Sequence, residues 1–415
     1  MGFAYVSNRL HCDGVDLQRL ADSFGTPAYI YSEHMLTRNA EIMKQVFIDR
    51  GIHVSYAMKA NGNPAILKLF KAYGIGVDIV SAGELQLAEQ VGLHGTNVNF
   101  AGVGKTIDEL EMGVEADIGY FNVESGFELD RLEALAEKSG HKVAVLLRLN
   151  PDIDPQTHPH ISTGLKQNKF GMSSAAVKHY LSRATDYPHL RFEGIHCHIG
   201  SQIIHPQPYF DLIDFLEEFT TSLKEEGIEI HHVDLGGGFG VDHRNPFEDI
   251  LNTTPFLESF ADRALRQLGS YALHIQPGRA LVANTGVLLS RVLGVKQNGS
   301  HSFVIIDGAT TELIRPALYD AYHKVFAYEK GGKSMTADIV GPVCESSDVL
   351  AKQREIPSVT GGDLLIMASA GAYASSMSST YNMRPLAPEI MIHANSEISL
   401  IRRRQSYDEL TSLYS

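Results

Sequence analysis

The sequence is poor in cysteine and has no long apolar run. Its 415 residues include only three cysteines, Cys12, Cys197 and Cys344. This odd, sparse set is typical of a reducing compartment and predicts no disulfide framework. No apolar run approaches the ~18 residues of a membrane span. The first residues, MGFAYVSNRL, lack the basic and apolar regions of a secretory signal. We therefore expect a cytoplasmic protein.

Basic residues are also in deficit. The formal net charge is −14 and the pI is about 5.7, which argues against a nucleic-acid or acidic-membrane partner. A hydrophobic content of 44% with 20% charged residues is that of a globular protein. A chain of this length is too long for one ordinary core, so we expect two domains.

Eight strand-like runs alternate with helical stretches between residue 53 and about residue 276. These runs are HVSYAM (53–58), IGVDIV (75–80), NVNFAG (97–102), IGYFNV (118–123), VAVLLRL (143–149), GIHCHI (194–199), HVDLG (232–236) and ALHIQ (272–276). Near-continuous apolar strands alternating with amphipathic helices predict parallel strands that helices cover. Eight such units predict a (β/α)₈ barrel of the TIM type. A further helical pattern at 32–47 precedes the first strand.

The pattern changes after about residue 280, where strand-like runs follow one another with few helices between them. They are VLLSRVLGVKQ (287–297), HSFVIIDGA (301–309), DLLIMASAG (363–371) and EISLIRRR (397–404). They predict a second, mostly-β domain, a sandwich or small barrel, to which AYVSNRLHC (4–12) adds a strand. We expect the barrel domain to cover 25–280 and the β-rich domain to comprise 1–24 and 281–415.

Chemically active residues collect where the predicted barrel strands end, which is where such barrels carry their active sites. Lys59 ends the first strand, and His198 ends the sixth. Glycine clusters follow strands seven and eight, in DLGGGFG (234–240) and QPGR (276–279). Their backbone N–H groups predict a phosphate site. A lysine beside a phosphate site indicates pyridoxal phosphate, with Lys59 as the Schiff-base amine and His198 against the ring.

Two other glycine motifs do not fit nucleotide binding. AGVGKT (101–106) resembles the end of a Walker A motif, but Asn99 stands where the first glycine is required. GGGFGV (236–241) has Val241 where a dinucleotide fingerprint requires glycine.

These motifs, in this order, resemble the diaminopimelate decarboxylase family, within the alanine-racemase-like (fold type III) pyridoxal-phosphate enzymes. The resemblance runs nearly end to end, whereas any single motif is weakly specific. The motifs are YAMKAN (56–61), VDIVSAGE (77–84), THPHISTGLKQNKFG (157–171), CHIGSQ (197–202), DLGGGFG (234–240), PGR (277–279), RPALY (315–319), GPVCESSD (341–348) and GAYASSMSSTYNMRP (371–385).

The resemblance implies a role for each matching residue in the decarboxylation of meso-2,6-diaminopimelate to L-lysine. Lys59 holds pyridoxal 5'-phosphate, and Cys344 is the proton donor. The implied cofactor contacts are Lys59, His198, Gly238, Gln276, Pro277, Gly278, Arg279 and Tyr373. The implied substrate contacts are Arg279, Arg315, Tyr319, Glu345 and Tyr373. Cys344 and Glu345 come from the partner subunit in this family, so a homodimer with shared active sites is implied. No metal is expected.

The sequence departs from the family at the residue before PGR. The family usually has glutamate there, which bonds the pyridine nitrogen, and this chain has the neutral Gln276. The candidates for a replacement carboxylate are Asp78 and Glu84. Two smaller departures are Ala374 after Tyr373 and the segment ATTEL (309–313) ahead of Arg315.

Three other functions compete with this one. The first is decarboxylation of a related diamino acid, D-lysine or D-ornithine, which the presence of Arg315 disfavours. The second is a catalytically silent homologue, which Gln276 favours and the presence of Lys59 and Cys344 disfavours. The third is a metal-dependent hydrolase, prompted by His196 and His198 as a His-x-His pair.

Overall fold

The computed structural model describes residues 1–154, 168–248 and 250–414. Residues 157–167 of the THPHISTGLKQNKFG motif therefore lie outside the described residues. The chain forms two compact units. One comprises Met1–Asn39, Val241–Asp249 and Leu281–Ser415, and the other comprises Ala40–Gly240 and Ile250–Ala280.

The strands and helices of the described chain have the following bounds. The strands are β1 Phe3–Val6, β2 Arg9–Cys12, β3 Val15–Asp16, β4 Ala28–Ser32, β5 His53–Ala57, β6 Gly76–Ile79, β7 Val98–Phe100, β8 Tyr120–Val123, β9 Val143–Arg148, β10 Leu190–His196, β11 His232–Asp234, β12 Ala272–Ile275, β13 Gly286–Asn298, β14 His301–Ile306, β15 Val325–Ala327, β16 Ser334–Val340, β17 Val349–Pro357, β18 Leu364–Met367, β19 Glu389–Ile392 and β20 Ile398–Arg402. The α-helices are α1 Leu17–Phe24, α2 Glu33–Val46, α3 Pro64–Ala72, α4 Ala82–Gln90, α5 Ile107–Glu115, α6 Gly126–Ser139, α7 Ser174–Ser182, α8 Gln207–Glu225, α9 Ile250–Thr253, α10 Leu257–Leu268, α11 Arg279–Val282, α12 Arg315–Tyr319 and α13 Tyr407–Thr411. No helix in the described ranges is both long and apolar enough to cross a membrane.

A closed barrel of eight parallel strands, β5 to β12, forms the centre of the second unit. Seven of the eight predicted runs contain one of these strands, and the sixth, GIHCHI (194–199), overlaps the end of β10, which begins earlier, at Leu190. The predicted (β/α)₈ barrel is therefore confirmed. All six residues of β9 are buried, as expected for a parallel strand with both faces covered. Local sequence also sets the helix starts, because Asn63 accepts a hydrogen bond from Ala65 N and Thr106 forms a capping box with Glu109.

The first unit is built on a nine-stranded sheet. Seven of its strands run in the order β17-β16-β14-β13-β4-β19-β20, while β18 pairs with β13 and β15. This confirms the predicted mostly-β domain and its four predicted strands. The strands β4, β15, β16, β17 and β19 were not predicted. Exposed and half-buried residues interrupt β16 and β17, so neither strand has a continuous apolar run.

The first residues of the chain form a sheet of their own. Strands β1, β2 and β3 pair antiparallel, and an isolated β-bridge between Arg9 and Glu329 connects them to the rest of the unit. The strands β1 and β2, at the predicted residues 4–12, thus lie in the β-rich unit, where they pair with each other and not with the nine-stranded sheet. Phe3 and Leu10 nevertheless share one hydrophobic core with Ile30 and Ile390.

Candidate active site

Lys59 lies directly after the first barrel strand. Strand β5 ends at Ala57, and Met58–Ala60 form one turn of 3₁₀-helix, so the strand is one residue shorter than HVSYAM predicted. Met58 and Ala60 are buried, whereas Lys59 is exposed. Within the described ranges, no hydrogen bond or ion pair engages its side chain. The structure therefore holds the backbone of this turn in place and leaves the amine available for reaction.

The turn that carries Lys59 contacts the PGR turn that follows strand β12. Ala57 N donates to Pro277 O over 3.0 Å. A Cβ atom added at Gly278 would lie 3.1 Å from the Cβ of Ala57 and 3.3 Å from that of Ala60. The ends of the first and eighth barrel strands are therefore packed closely together, and a larger residue at Gly278 would crowd the Lys59 turn.

The glycine turn after strand β11 needs glycine for the same steric reason. A Cβ atom at Gly237 would lie 1.9 Å from Gln276 O, and one at Gly238 would lie 2.2 Å from Gly200 O. Gly238 also has a φ of 96°, a conformation that side chains other than glycine's rarely adopt. Glycine-rich turns at strand ends are common anion-binding elements, and the N–H of Gly236 here donates to Asp234 Oδ1.

His198 and Arg279 flank these glycine turns. Gly237 N donates to His198 Nδ1 over 3.2 Å, so Nδ1 is the unprotonated nitrogen of this ring. Burial holds the pKa of His198 well below its usual value, and the charges of Lys59 and Arg148 lower it further. Arg279 is buried and donates from Nη2 to Ser201 Oγ over 3.0 Å. The ring is therefore neutral, and the guanidinium supplies positive charge at the same strand ends.

Gln276 is hydrogen-bonded at both ends of its side-chain amide. Its Nε2 donates to Asp78 Oδ1 over 3.1 Å, and its Oε1 lies 3.0 Å from His196 Nε2. Because an amide oxygen can only accept, His196 carries its proton on Nε2. Burial keeps His196 neutral by lowering its pKa well below the usual value. The three side chains are all buried and link the ends of strands β6, β10 and β12.

Of the two carboxylates predicted to replace the missing glutamate, Asp78 is the one bonded to Gln276. Burial raises the pKa of Asp78 to about 6 in spite of the positive charge of Lys59. Glu84 instead accepts a hydrogen bond from Val80 N over 2.8 Å. Its pKa is raised to about 7, mainly by burial. The positive charge of Lys59 lowers the pKa of both carboxylates and of His196 and His198. Its amine therefore lies within electrostatic range of all four groups.

Lys105, the lysine of AGVGKT, has a structural role. Its Nζ donates to Gly102 O and Asn122 O over 2.8 Å each, and to Glu128 over 2.6 Å. These three bonds use all three donors of the ammonium group, and the side chain is almost fully buried. Lys105 therefore has no donor left for a phosphate, which agrees with the rejection of a Walker A site.

The described residues do not support a metal centre. No group of three or more His, Cys, Asp or Glu side chains within the described ranges is arranged to hold a metal ion. His196 is hydrogen-bonded to Gln276, and His198 accepts from a backbone N–H. This arrangement disfavours the metal-dependent hydrolase.

The first unit carries the predicted substrate residues Arg315 and Tyr319 on one short helix, α12. Arg315 is buried at its start and Tyr319 is half-buried at its end. Arg315 Nη1 lies 2.9 Å from the Nε2 of His323, a residue that the sequence pattern did not single out. In the preceding ATTEL segment, Glu312 is buried and accepts from Ala309 N, so its side chain stabilises the turn that leads into the helix.

Tyr373 follows strand β18 in the same unit. It is half-buried, with a φ of 55°, a left-handed conformation that is uncommon for a tyrosine. The next residue, Ala374, is buried. Ser369, just upstream, has a φ of 54° and donates to Asn284 Oδ1 over 2.9 Å. Strained backbone held by buried hydrogen bonds is common at functional sites.

Cys344 and Glu345 lie on an exposed loop whose base is fixed by Asp348. The buried Asp348 carboxylate accepts hydrogen bonds from Thr310 N and Val343 N. Cys344 N donates to the side chain of Asn382, a member of the GAYASSMSSTYNMRP motif to which the sequence assigned no role. The side chains of Cys344 and Glu345 are both exposed. The loop is therefore held at its ends and presents the thiol and the carboxylate outward.

Comparison with known proteins identifies the family. A family model described as the pyridoxal binding domain of pyridoxal-dependent decarboxylases matches residues 33–283. The chain belongs to the pyridoxal-dependent decarboxylases. It is therefore a pyridoxal-phosphate-dependent carboxy-lyase.

Relatives of this decarboxylase match along its whole length. It is 41% identical to the diaminopimelate decarboxylase of Aquifex aeolicus over 97% of this chain and 95% of the other. It is 40% identical to that of Haemophilus influenzae, over 100% and 99% of the two chains. Among solved structures, the diaminopimelate decarboxylase of M. jannaschii in complex with L-lysine is 35% identical, with a TM-score of 0.92 and coverage of 100% and 98%. The resemblance predicted from the motifs is thereby confirmed.

The residues at the barrel mouth fit the cofactor of this family. Pyridoxal phosphate needs a reactive amine, an anion site and a partner for its ring. The decarboxylase has the Lys59 amine, which is not hydrogen-bonded within the described ranges, and a glycine turn whose close packing against Gln276 O and Gly200 O leaves no room for a Cβ atom at Gly237 or Gly238. Arg279 adds positive charge beside Ser201. These groups therefore suit a ligand that carries both an aldehyde and a phosphate ester.

Proposed function

We propose that this chain decarboxylates meso-2,6-diaminopimelate to L-lysine and CO2, with Lys59 as the Schiff-base amine and Cys344 as the proton donor. The observation that carries the proposal is the contact between the Lys59 turn and the PGR turn, made through Ala57 N and Pro277 O and through Gly278. This contact supports one bound molecule reaching both the amine and the phosphate site. The names of the similar full-length proteins support the substrate.

Each barrel residue has a separate task in this proposal. Lys59 binds the cofactor aldehyde, and the N–H groups around Gly238 and the PGR turn, with Arg279, receive the phosphate. His198 lies against the ring as a neutral imidazole, and Gln276 faces the ring nitrogen. When bound, the cofactor supplies an electron sink that stabilises the carbanion left by loss of CO2.

The substrate residues grip the end of the substrate that does not react. Diaminopimelate carries an ammonium and a carboxylate at each end, so the site must hold one end to select which carboxylate leaves. The family resemblance implies that Arg279, Arg315 and Tyr319 bind the distal carboxylate by charge-assisted hydrogen bonds, and that Tyr373 contacts the cofactor and the substrate. Glu345 binds the distal ammonium. The presence of Arg315 favours this substrate over D-lysine and D-ornithine, which lack that carboxylate.

Cys344 delivers the proton that replaces the lost carboxylate. A thiol is a suitable general acid because its pKa lies nearer to neutrality than that of a hydroxyl. Its exposure on the loop anchored by Asp348 supports a site shared between two subunits. We therefore propose a homodimer in which Cys344 and Glu345 complete the partner's active site. We also propose a cytoplasmic location, which the sparse and unpaired cysteines support.

A substrate panel tests the reaction. Purified protein loaded with pyridoxal phosphate should release CO2 from meso-diaminopimelate much faster than from D-lysine or D-ornithine. Equal turnover of D-lysine would overturn the substrate assignment. The absence of turnover on every substrate, with cofactor bound, would favour the silent homologue.

A subunit-mixing experiment tests the shared site. Lys59→Ala and Cys344→Ala variants are each expected to be inactive or nearly so. If the site is shared, half of the randomly mixed dimers contain one intact site, and about a quarter of the wild-type activity returns. A mixture that stays as inactive as its components would show that each subunit uses its own thiol.

A further inference from the structure

His323 and Arg315 form a buried pair with a defined proton arrangement. Arg315 Nη1 and His323 Nε2 are 2.9 Å apart, and His323 Nδ1 is 2.8 Å from Ala368 O. A guanidinium nitrogen can only donate, so His323 Nε2 accepts. A carbonyl oxygen can only accept, so His323 Nδ1 carries the proton. Both bonds are satisfied by one species, the neutral imidazole protonated on Nδ1.

The Arg315–His323 pair is buried and is hydrogen-bonded to the backbone that leads to Tyr373. His323 is fully buried and Arg315 is nearly so. Ala368 follows strand β18 and precedes the strained residue Ser369 and the site residue Tyr373. The imidazole therefore ties the guanidinium to the backbone segment that leads into Tyr373. An arginine side chain has several rotatable bonds, and a fixed acceptor reduces the freedom that binding must otherwise remove.

We propose that His323 is a specificity-determining positioning residue, which fixes the Arg315 guanidinium so that it binds the distal carboxylate of the substrate. A neutral acceptor is suited to this task, because it orients the guanidinium without cancelling its positive charge. The inference rests on the proposed function, since it takes Arg315 as the carboxylate-binding group. His323 itself does not touch the substrate.

Two substitutions separate the two hydrogen bonds of His323. Glutamine reaches about as far as Nε2, so His323→Gln retains an acceptor for Arg315. Asparagine reaches about as far as Nδ1, so His323→Asn retains a donor for Ala368 O and loses the acceptor for Arg315. Both variants keep a buried amide of comparable polarity. The pair is therefore matched for burial and differs in the bond that the proposal requires.

The two ligands of the test also form a matched pair, which differs in the distal carboxylate. L-lysine, the product, retains the distal carboxylate, whereas cadaverine has the same diamine chain without it. Inhibition constants for both are measured against meso-diaminopimelate decarboxylation. Loss of a hydrogen bond to a charged group predicts that His323→Asn weakens L-lysine inhibition about 10- to 100-fold. KM for diaminopimelate should rise with it, while kcat and the cadaverine constant stay near those of the wild type. His323→Gln should resemble the wild type for both ligands.

Other outcomes would overturn the proposal. Equal weakening of L-lysine and cadaverine would show that His323 supports the fold and not the carboxylate site. Wild-type constants in His323→Asn would show that Arg315 is positioned without it. If His323→Asn does not fold, the test uses His323→Gln, which retains the acceptor for Arg315. Selective weakening of L-lysine inhibition in this variant would contradict the acceptor role. Wild-type enzyme that binds pyridoxal phosphate but does not turn over diaminopimelate would instead contradict the proposed function, independently of His323.

Discussion

Gln276 donates a hydrogen bond to Asp78 across the ends of strands β6 and β12. Where the family usually has a glutamate, this chain therefore has an amide that is hydrogen-bonded to the carboxylate of Asp78. His196 holds the other end of the amide, so the side chain has one orientation. The departure from the usual glutamate is therefore built into a buried network, and it is not an isolated surface change.

The first prediction concerns Gln276→Glu. The new carboxylate would lie within hydrogen-bonding distance of Asp78, whose pKa is already raised to about 6 by burial. Two adjacent buried carboxylates do not both ionise near neutral pH, so we expect activity to fall roughly tenfold. The Asp78→Asn/Gln276→Glu double variant exchanges amide and carboxylate, and we expect it to recover activity in a double-mutant cycle. Increased activity in the single variant would show that the wild-type site is impaired.

The second prediction concerns Lys59→Ala. If Lys59 forms the covalent bond to the cofactor, as proposed, removing the amine should abolish the absorbance band of bound pyridoxal phosphate and the decarboxylase activity. Borohydride treatment of the wild type should attach the cofactor to the peptide that contains residue 59. The exposed Lys68 on helix α3 provides a control, since Lys68→Ala should retain both properties. Retained colour in Lys59→Ala would place the reactive amine elsewhere.

The third prediction concerns Cys344→Ala. If the thiol is the general acid, kcat should fall by roughly 10²–10⁴ while the cofactor remains bound. Ser346→Ala, in the same exposed loop, should leave turnover unchanged. Solvent-deuterium incorporation into lysine reports the protonation step directly. Wild-type turnover in Cys344→Ala would remove the thiol from the mechanism.

The fourth prediction concerns acid stability. His274 packs on His53 with ring centroids 4.7 Å apart, and its Nε2 lies 2.8 Å from His232 Nδ1. Burial, assisted by these two histidines, lowers the pKa of His274 to about 3. The unfolded chain therefore binds the extra proton first as the pH falls below ~6.5. The stability contributed by the neutral ring is present above that pH and is lost progressively toward pH 3. Between pH 7 and pH 5 the loss is about 2 kcal/mol.

Unfolding in denaturant at pH 7 and pH 5 checks this prediction. His274→Gln should lose less stability over this interval than the wild type. The exposed His141 serves as the control, and His141→Gln should behave as the wild type does. The buried acids Asp78 and Asp234 change the stability in the opposite direction as the pH falls, because their pKa values in the folded chain are raised to about 6 and about 7. The informative quantity is therefore the difference between variants. An equal loss in all three proteins would contradict the prediction.

The barrel could be predicted because its strands are continuous apolar runs bounded by turns. The strand-end rule then brought Lys59, His198 and the glycine turns together without any knowledge of contacts. The sequence did not indicate His323, because it belongs to none of the motifs and its contact with Arg315 appears only in the folded chain. Asn382 lies within the GAYASSMSSTYNMRP motif, but its bond to Cys344, 38 residues away along the chain, could not be inferred from the motif. The strands β16 and β17 were missed because their buried positions are interrupted by exposed ones, so their burial depends on the sheet around them.

The pairing of Lys105 with Glu128 has a consequence for chemical selectivity. An aldehyde condenses with an amine that it can reach, and the Lys105 nitrogen is buried and engaged in three hydrogen bonds. Of the described lysines Lys59 and Lys105, Lys59 has an exposed side chain and Lys105 has a buried one. Substituting Glu128 by a neutral side chain would remove one of these hydrogen bonds. The cofactor aldehyde could then react with Lys105 instead of Lys59.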